Sequence, residues 1–439
     1  MKYYCLLALL ALSVTAFAQI PTIRDSTENI NTDFHFQLTT VTQRKYRMPA
    51  PYTGDNSLTG DRETQSTLTS TIFWGAKVWK GGEFYFNPEI SGGAGISSAK
   101  GIAGFTNGEA FRVGDPSPKI YAARVYLRQT FNLGGEEEYI GESANQVTKT
   151  RTKKYVSITL GKFSIADFFD NNSYSHDPRS QFSNWALMSN GAWDYPANTR
   201  GYTVGGMVEY GMLKWKLRFA SVLVPKSANG NDLEFNYGKA NSNALELEKP
   251  YQLGAHSGIL RVLGFYTSAF MGNYNQSIVQ SPISPDIITT RSVGRHKYGW
   301  AINVEQKLNE YAGLFARASW NDGQNETWAF TEIDRSISAG FVLNGARWKR
   351  KNDVAGFAAL VNGLSSPHKN YLAAGGYGFI IGDGKLNYGQ EFITEVYYKI
   401  NAFYPGFWLT PDYQFVLNPA YNRDRGPAHI FSLRAHIEL

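Results

Sequence analysis

The chain has 439 residues, with 43 Lys and Arg against 37 Asp and Glu, a formal net charge of +6 and one cysteine. The positive charge is mild and forms no long basic run, so we expect no nucleic-acid partner. Aromatic residues make up 15% of the chain, yet the mean hydropathy is only −0.33, and after Ala18 no stretch approaches the ~20 apolar residues of a membrane-spanning helix. This composition argues against a helical membrane protein. It suits a transmembrane antiparallel β-barrel, in which apolar and polar residues alternate along each strand.

The first residues have the pattern of a secretion signal. Lys2 gives a positive start, Tyr4–Leu12 an apolar core, and Ala16-Phe17-Ala18 a small-x-small cleavage site. The only cysteine, Cys5, lies inside this segment, so we expect a mature chain without disulfides, thiolate metal sites or cysteine catalysis. The predicted organisation is a signal peptide, a short periplasmic leader and an outer-membrane β-barrel, over 1–18, 19–33 and 34–439.

Alternating apolar and polar residues then predict strands along the rest of the chain. In Leu213–Leu223 the apolar residues face one way, while Lys214, Lys216 and Arg218 face the other, which a strand allows and a helix does not. The predicted strands make up most of a barrel of about 16 strands. They are Phe34–Thr42, Leu68–Val78, Glu83–Ile90, Ala123–Phe131, Val156–Leu160, Tyr202–Tyr210, Leu213–Leu223, Leu260–Phe270, Tyr298–Gln306, Ala312–Trp320, Ile333–Phe341, Val354–Asn362, Phe392–Ile400, Trp408–Leu417 and His429–Leu439.

Two segments lack this alternation of apolar and polar residues. Asn132–Lys154 contains three consecutive glutamates followed by several cations, which predicts a solvated loop or hairpin. Asp167–Arg200 is too irregular for strands and too aromatic for a disordered linker. Because long ordered loops on a rigid scaffold usually serve function, we predict that this segment folds into the lumen and narrows the pore.

Motifs in and after this segment resemble the carbohydrate-selective porins of the OprB family, over most of the chain from about Phe34. Those motifs are Gly161-Lys162-Phe163, Asp167-Phe168-Phe169-Asp170, Gln181-Phe182-Ser183-Asn184-Trp185-Ala186-Leu187, Gly191-Ala192-Trp193-Asp194-Tyr195-Pro196, Thr199-Arg200-Gly201-Tyr202, Pro411-Asp412-Tyr413-Gln414, Asn418-Pro419 and Asn422-Arg423. The resemblance implies an outer-membrane channel for passive entry of glucose and related sugars. Two features depart from it: Leu439 stands where such barrels commonly end in an aromatic residue, and 19–33 matches nothing in the family.

Sugars combine hydroxyl groups with weakly apolar ring faces, so a selective pore needs planar aromatics and hydrogen-bonding groups. The candidates in the predicted lumenal segment are Asp170, Asn171, Asp177, Arg179, Trp185, Trp193, Asp194 and Arg200. Candidate inward-facing cations on strands are Arg124, Arg128, Lys214, Lys216, Arg218, Arg317 and Arg434. Some of these residues could have a structural role instead. Trp193 could pack against the barrel wall, and an ion pair between Asp177 and Arg179 could stabilise the segment. His176 has no second histidine nearby, so we expect neither a metal site nor a cofactor.

Several functions fit such a barrel. The first is a porin for mono- and small oligosaccharides such as glucose. The alternative is a general diffusion porin, or one that prefers anions or sugar acids, because inward cations serve those solutes equally well. An enzyme is not expected, since none of the seven histidines lies in a recognisable nucleophile motif. The expected partners are small sugars, outer-membrane lipid and lipopolysaccharide, and the barrel assembly machinery through the last strand, with a monomer and a homotrimer both open.

Overall fold

The computed structural model describes residues 32–110 and 117–439. The predicted signal peptide and nearly all of the predicted leader lie outside these residues, and the first described strand begins at Thr32, two residues before the predicted barrel. The strands are β1 Thr32–Lys45, β2 Glu63–Trp79, β3 Gly82–Gly93, β4 Lys119–Asn132, β5 Glu137–Ile140, β6 Lys149–Thr152, β7 Tyr155–Phe163, β8 Thr203–Met212, β9 Trp215–Val222, β10 Asn241–Leu253, β11 His256–Met271, β12 Ser292–Lys307, β13 Ala312–Asn321, β14 Arg335–Asn344, β15 Val354–Gly363, β16 Glu391–Asn401, β17 Phe407–Leu417 and β18 Ala428–Glu438.

Sixteen of these strands form one closed antiparallel barrel, as the sequence predicts. Each strand pairs with its neighbours in chain order, and the barrel closes where β1 pairs with β18, from Gln37 opposite Glu438 to Lys45 opposite Ile430. The other two strands, β5 and β6, form a separate hairpin between β4 and β7. A closed sheet leaves no unpaired edge, which is what a lipid environment requires.

The barrel is apolar outside and polar inside. On β18 the outward Phe431 and Leu433 are 49% and 54% exposed, whereas the inward Arg434 is 1% exposed. On β9 the outward Phe219 is 45% exposed, whereas the inward Arg218 next to it is buried. Large apolar side chains exposed all around a barrel, with charges enclosed, reverse the arrangement of a soluble protein and fit a lipid surrounding.

The two ends of the barrel differ. At one end, here called the turn edge, the connections are 80–81, 133–154, 213–214, 254–255, 308–311, 345–353 and 402–406. At the other end, the loop edge, they are 46–62, 94–118, 164–202, 223–240, 272–291, 322–334, 364–390 and 418–427. Among the turn-edge connections, 133–154 stands out because it contains the hairpin β5–β6.

Three short helices lie in loop-edge connections: α1 Trp185–Met188, α2 Tyr274–Gln280 and α3 Ser366–Ala373. Each begins at a residue whose side chain accepts a backbone N–H of the first turn, Asn184, Asn273 and Ser365 respectively, which is the usual way to satisfy a helix start. In the described part of the chain, no helix is long and apolar enough to cross a bilayer. The buried apolar cluster includes many loop-edge residues, so the loops pack together inside the barrel.

Candidate functional site

The connection 164–202, here called the lumenal segment, folds into the barrel, as the sequence predicts. All four residues of α1 within it are buried, and so are Phe169, Phe182 and Trp193. A segment placed there loses water as a partner for its backbone N–H groups, and each unsatisfied group would cost free energy.

Glutamates on the barrel wall supply those partners. Glu246 on β10 accepts the N–H of Asp170 at 2.7 Å, and Glu305 on β12 accepts that of Ser173 at 2.6 Å. Glu395 on β16 accepts the N–H groups of Ser183 and Asn184 at 2.5 and 3.0 Å. A carboxyl side chain has two oxygens and can accept more than one N–H group, so the wall holds the segment by its main chain.

Two buried arginines complete this attachment. Arg317 on β13 donates to Asp170 Oδ1 at 3.2 Å and to the carbonyl oxygens of Leu187 and Ser175 at 2.7 and 2.6 Å. Arg434 on β18 donates to the carbonyl oxygen of Pro178 at 2.7 Å. Both guanidinium groups are thus used in fixing the segment.

Tryptophan and aspartate near the end of the segment also have structural contacts. Trp193 is 2% exposed and packs against Phe169 and Tyr195, with ring centroids 6.5 and 5.1 Å apart. Asp194 accepts the backbone N–H groups of Trp328 and Ala329 at 3.1 and 2.9 Å. Burial raises the pKa of Asp194 to about 6.

A cavity of about 540 Å³ remains between the segment, the wall of β4 and β7 to β9, and the tip of the β5–β6 hairpin. Nine of the sequence-predicted candidates line it. They are Arg124, Arg128, Asn171, Asp177, Arg179, Trp185, Arg200, Lys216 and Arg218.

The other six candidates do not line this cavity. Five of them are buried in the contacts described above: Asp170, Trp193, Asp194, Arg317 and Arg434. Lys214 is exposed in the turn between β8 and β9, so the inward row on β9 contains only Lys216 and Arg218. The predicted strand Leu213–Leu223 has the correct alternation, but the observed strand β9 begins two residues later, at Trp215.

The charges around the cavity are layered. Eight cationic side chains line it, together with four carboxylates, Glu109, Asp167, Asp177 and Glu209. A further glutamate, Glu89, lies behind the cations: Arg179 donates to it and to Glu109 of the lining, both at 3.0 Å. Burial alone would raise the pKa of the Asp177 carboxyl, but the nearby Arg179 and His436, together with hydrogen bonds from the Arg179 N–H and the Ser180 hydroxyl, outweigh it and lower that pKa. The cavity surface is therefore cationic, and much of the compensating negative charge is buried.

Cross-strand ion pairs extend this pattern around the wall. Arg218 on β9 contacts Glu209 on β8 at 2.5 Å and Glu246 on β10 at 2.8 Å. Glu248 on β10 also contacts Arg261 on β11 at 3.1 Å. Sequence reasoning did not identify Glu246 and Glu248 because it did not predict β10, although Leu245 and Leu247 alternate with these two glutamates.

The aromatic rings are less available for stacking than predicted. Trp185 stacks on Phe330 with centroids 4.3 Å apart and packs against Phe105 at 5.1 Å, so neighbouring rings cover it. Four of the arginines that line the cavity do lie over aromatic rings. For example, the guanidinium of Arg200 lies 4.1 Å from the ring centre of Tyr121, and that of Arg128 lies 5.3 Å from the ring centre of Tyr85. Planar cationic groups thus form part of the polar lining. Within residues 32–110 and 117–439, no cluster of three or more His, Cys, Asp or Glu is arranged to hold a metal ion.

A closed barrel with an apolar outside, a charged inner wall and a loop folded into the lumen is a porin of the bacterial outer membrane. The sequence matches the carbohydrate-selective porin, OprB family, over residues 62–439, and the chain belongs to that family. Its fold is similar to the high-pH structure of Pseudomonas putida OprB, with a TM-score of 0.70 and 14% identity, covering 93% of this chain and 94% of the other.

Two chlamydial porins are more distantly similar in sequence. Porin AaxA of Chlamydia muridarum is 23% identical over 334 residues, and porin AaxA of Chlamydia pneumoniae is 26% identical over 141 residues. These alignments cover 73% and 32% of this chain, and the chain spans 62% and 28% of the two relatives' own lengths. Family and fold indicate a channel, not an enzyme. In outer-membrane barrels the short connections face the periplasm, so the turn edge is the periplasmic edge.

Proposed function

We propose that this porin passes mono- and small oligosaccharides such as glucose by passive diffusion, through a weak binding site in the cavity beneath the lumenal segment. The observation that supports this proposal is the cavity lining, where guanidinium, ammonium, carboxylate and amide groups converge on about 540 Å³. Such groups hydrogen-bond the hydroxyls of a sugar, and the volume falls in the range of small-molecule sites.

Weak binding follows from how the cations are held. Arg124 makes two bonds to Asp167, at 2.7 and 2.6 Å, and Arg218 is shared among three carboxylates. Cations that already have partners have little to gain from a neutral solute, so the solute exchanges rapidly with water. Flux requires this balance, because a solute must leave the site as readily as it enters.

Sugar acids are the second candidate, and one observation favours them. The cavity lining has eight cations against four carboxylates, and this excess attracts anions. The two proposals differ in whether a neutral sugar occupies the site.

Single-channel conductance in a planar bilayer distinguishes them, with titration of glucose, a larger glucan and a sugar acid. Saturable block by glucose at millimolar concentration supports the neutral-sugar porin. Block by the sugar acid alone overturns it in favour of the anion-preferring channel.

Arg200 is the best position at which to locate the site. It lies on the ring of Tyr121 and donates to Asn231 Oδ1 at 3.2 Å, so its loss leaves no buried carboxylate unpaired. We expect Arg200→Gln to weaken sugar block several-fold while the barrel folds normally. Arg47→Gln is the matched control, since Arg47 lies in the loop-edge connection 46–62 and its side chain is 82% exposed. Equal block in the wild type and both variants would place the sugar elsewhere.

A further inference from the structure

The periplasmic connection 133–154, here called the exit hairpin, reaches into the barrel. The other periplasmic connections, all in the described part of the chain, are much shorter, and several have only two residues. The tip of the exit hairpin, from Ser143 to Gln146, lines the cavity opposite the lumenal segment. The cavity is therefore bounded by one inserted element from each end of the barrel.

Contacts with the wall fix the hairpin in this position. Val147 is fully buried, and its N–H donates to Tyr85 Oη at 3.2 Å. Tyr85 in turn donates to Glu83 at 2.7 Å, and Lys149 forms an ion pair with the same carboxylate. The hairpin base is closed by a bond from the N–H of Leu133 to the carbonyl oxygen of Lys154 at 2.9 Å. A connection held at its tip and base behaves as part of the wall.

A second cavity of about 650 Å³ lies on the far side of β6. It is lined by the periplasmic turn 80–81, the ends of β2 to β4 and residues 149–151 of the hairpin. Only two residues line both cavities, Lys149 and Arg151. These two cations therefore stand at the boundary between the pore cavity and the space at the periplasmic edge.

Their surroundings leave this boundary cationic. Glu83 is shared between Lys149 and Arg128, whose guanidinium lies 3.8 Å away. Arg151 lies 3.8 Å from the ring centre of Tyr155 and donates to Glu138 at 2.8 Å. Three cations, Lys149, Arg151 and Arg128, stand against two carboxylates, Glu83 and Glu138, so fixed positive charge is in excess at this boundary.

We propose that the exit hairpin is a fixed exit filter, which narrows the periplasmic mouth and, through Lys149 and Arg151, favours anions over cations. This inference rests on the proposed pore function, because the filter selects among solutes that have already passed the lumenal segment. It places a second point of selection at the periplasmic end of the pathway.

The first test is a charge change measured as the reversal potential across a bilayer in a salt gradient. We expect Lys149→Gln with Arg151→Gln to lower the anion-to-cation permeability ratio about two- to threefold at low salt, since each charge acts over a few ångströms of partly screened space. The matched control is Lys153→Gln with Lys154→Gln, which removes the same charge from the same hairpin outside both cavities. An equal change in both double variants would mean a general effect of net charge and would overturn the filter.

The second test removes the hairpin. Asn132 and Tyr155 are opposite each other in the β4–β7 ladder, so a two-residue Asn-Gly turn in place of 133–154 closes the strands as an ordinary hairpin. Higher single-channel conductance and passage of larger sugars in a liposome-swelling assay are the expected results. Unchanged conductance and size limit in a correctly folded deletion variant would overturn the proposal.

These outcomes separate the filter from the sugar site. If the wild type shows no block by neutral sugar but the deletion raises conductance, the proposed function fails and the filter stands. If sugar block is present and neither variant alters conductance or selectivity, only the filter fails.

Discussion

Arg317 offers the sharpest test of how the lumenal segment is held. Its guanidinium bonds the carboxylate of Asp170 and the carbonyl oxygens of Leu187 and Ser175, all inside the barrel and away from water. Arg317→Met keeps much of the side-chain volume and removes every one of these bonds. Breaking a buried charge pair by removing one partner costs about 3–5 kcal/mol.

That cost should fall mainly on local opening of the segment, because the backbone ladder of the barrel is not altered. At about 1.4 kcal/mol per factor of ten, backbone amides of 170–190 should exchange with deuterium faster by roughly two to three and a half orders of magnitude. Peptides from the barrel strands should keep their wild-type protection. Larger current fluctuations in single-channel recordings are expected for the same reason.

The control is Arg335→Met, since Arg335 also lies on the barrel, at the start of β14, but is exposed. The reasoning would be refuted by wild-type exchange in 170–190, which would mean that Arg317 contributes little to holding the segment. Equal loss of protection in segment and strands would refute it too, because the arginine would then stabilise the whole barrel.

Two further predictions concern the other contacts that hold loops inside the barrel. Because the pKa of Asp194 is raised to about 6, above the unfolded value of about 3.9, its contribution to local stability is present below the lower value and is lost as the pH rises through the higher one. Once the intrinsic pH dependence of amide exchange is divided out, the protection of 322–334 should therefore be lower at pH 7 than at pH 4, and Asp194→Asn should remove this difference; a variant that keeps the full difference would contradict the assignment. Glu391 accepts three backbone N–H groups, two of them from the connection 94–118, so Glu391→Gln should loosen that connection by about 1–3 kcal/mol. Limited proteolysis should then cut it faster than in the exposed control Glu310→Gln, and equal cleavage rates would contradict the role given to Glu391.

Much of the fold was predictable because a barrel in lipid imposes period-two alternation on every strand. The alternation of β9 and β18 identified the outward faces, and the family motifs identified the lumenal segment. β10 was not among the predicted strands; its alternation of leucines with glutamates is short and ends at Pro250. The segment Asn132–Lys154 was predicted as a loop or hairpin, but no local pattern shows that such a hairpin turns into the lumen.

The site was less predictable, since charge alone does not tell whether a cation faces solute or another protein group. Arg218 and Arg317 look alike in sequence, yet one lines the cavity and the other is enclosed by the segment it bonds. The difference depends on partners more than a hundred residues away in the chain, such as Asp170 for Arg317. Sequence alternation predicts the face of a strand, and only the folded loops decide which inward positions remain open.

The way in which the wall glutamates hold the lumenal segment has a consequence for how this pore can diversify. Glu246, Glu305 and Glu395 bond main-chain N–H groups, which every residue except proline possesses. Side chains that project from the segment into the cavity, such as Asn171 and Arg200, can therefore be exchanged without detaching it. The bonds that attach the segment do not depend on its side chains, whereas the cavity lining does. The same barrel can therefore acquire a new solute preference through a few substitutions in one loop.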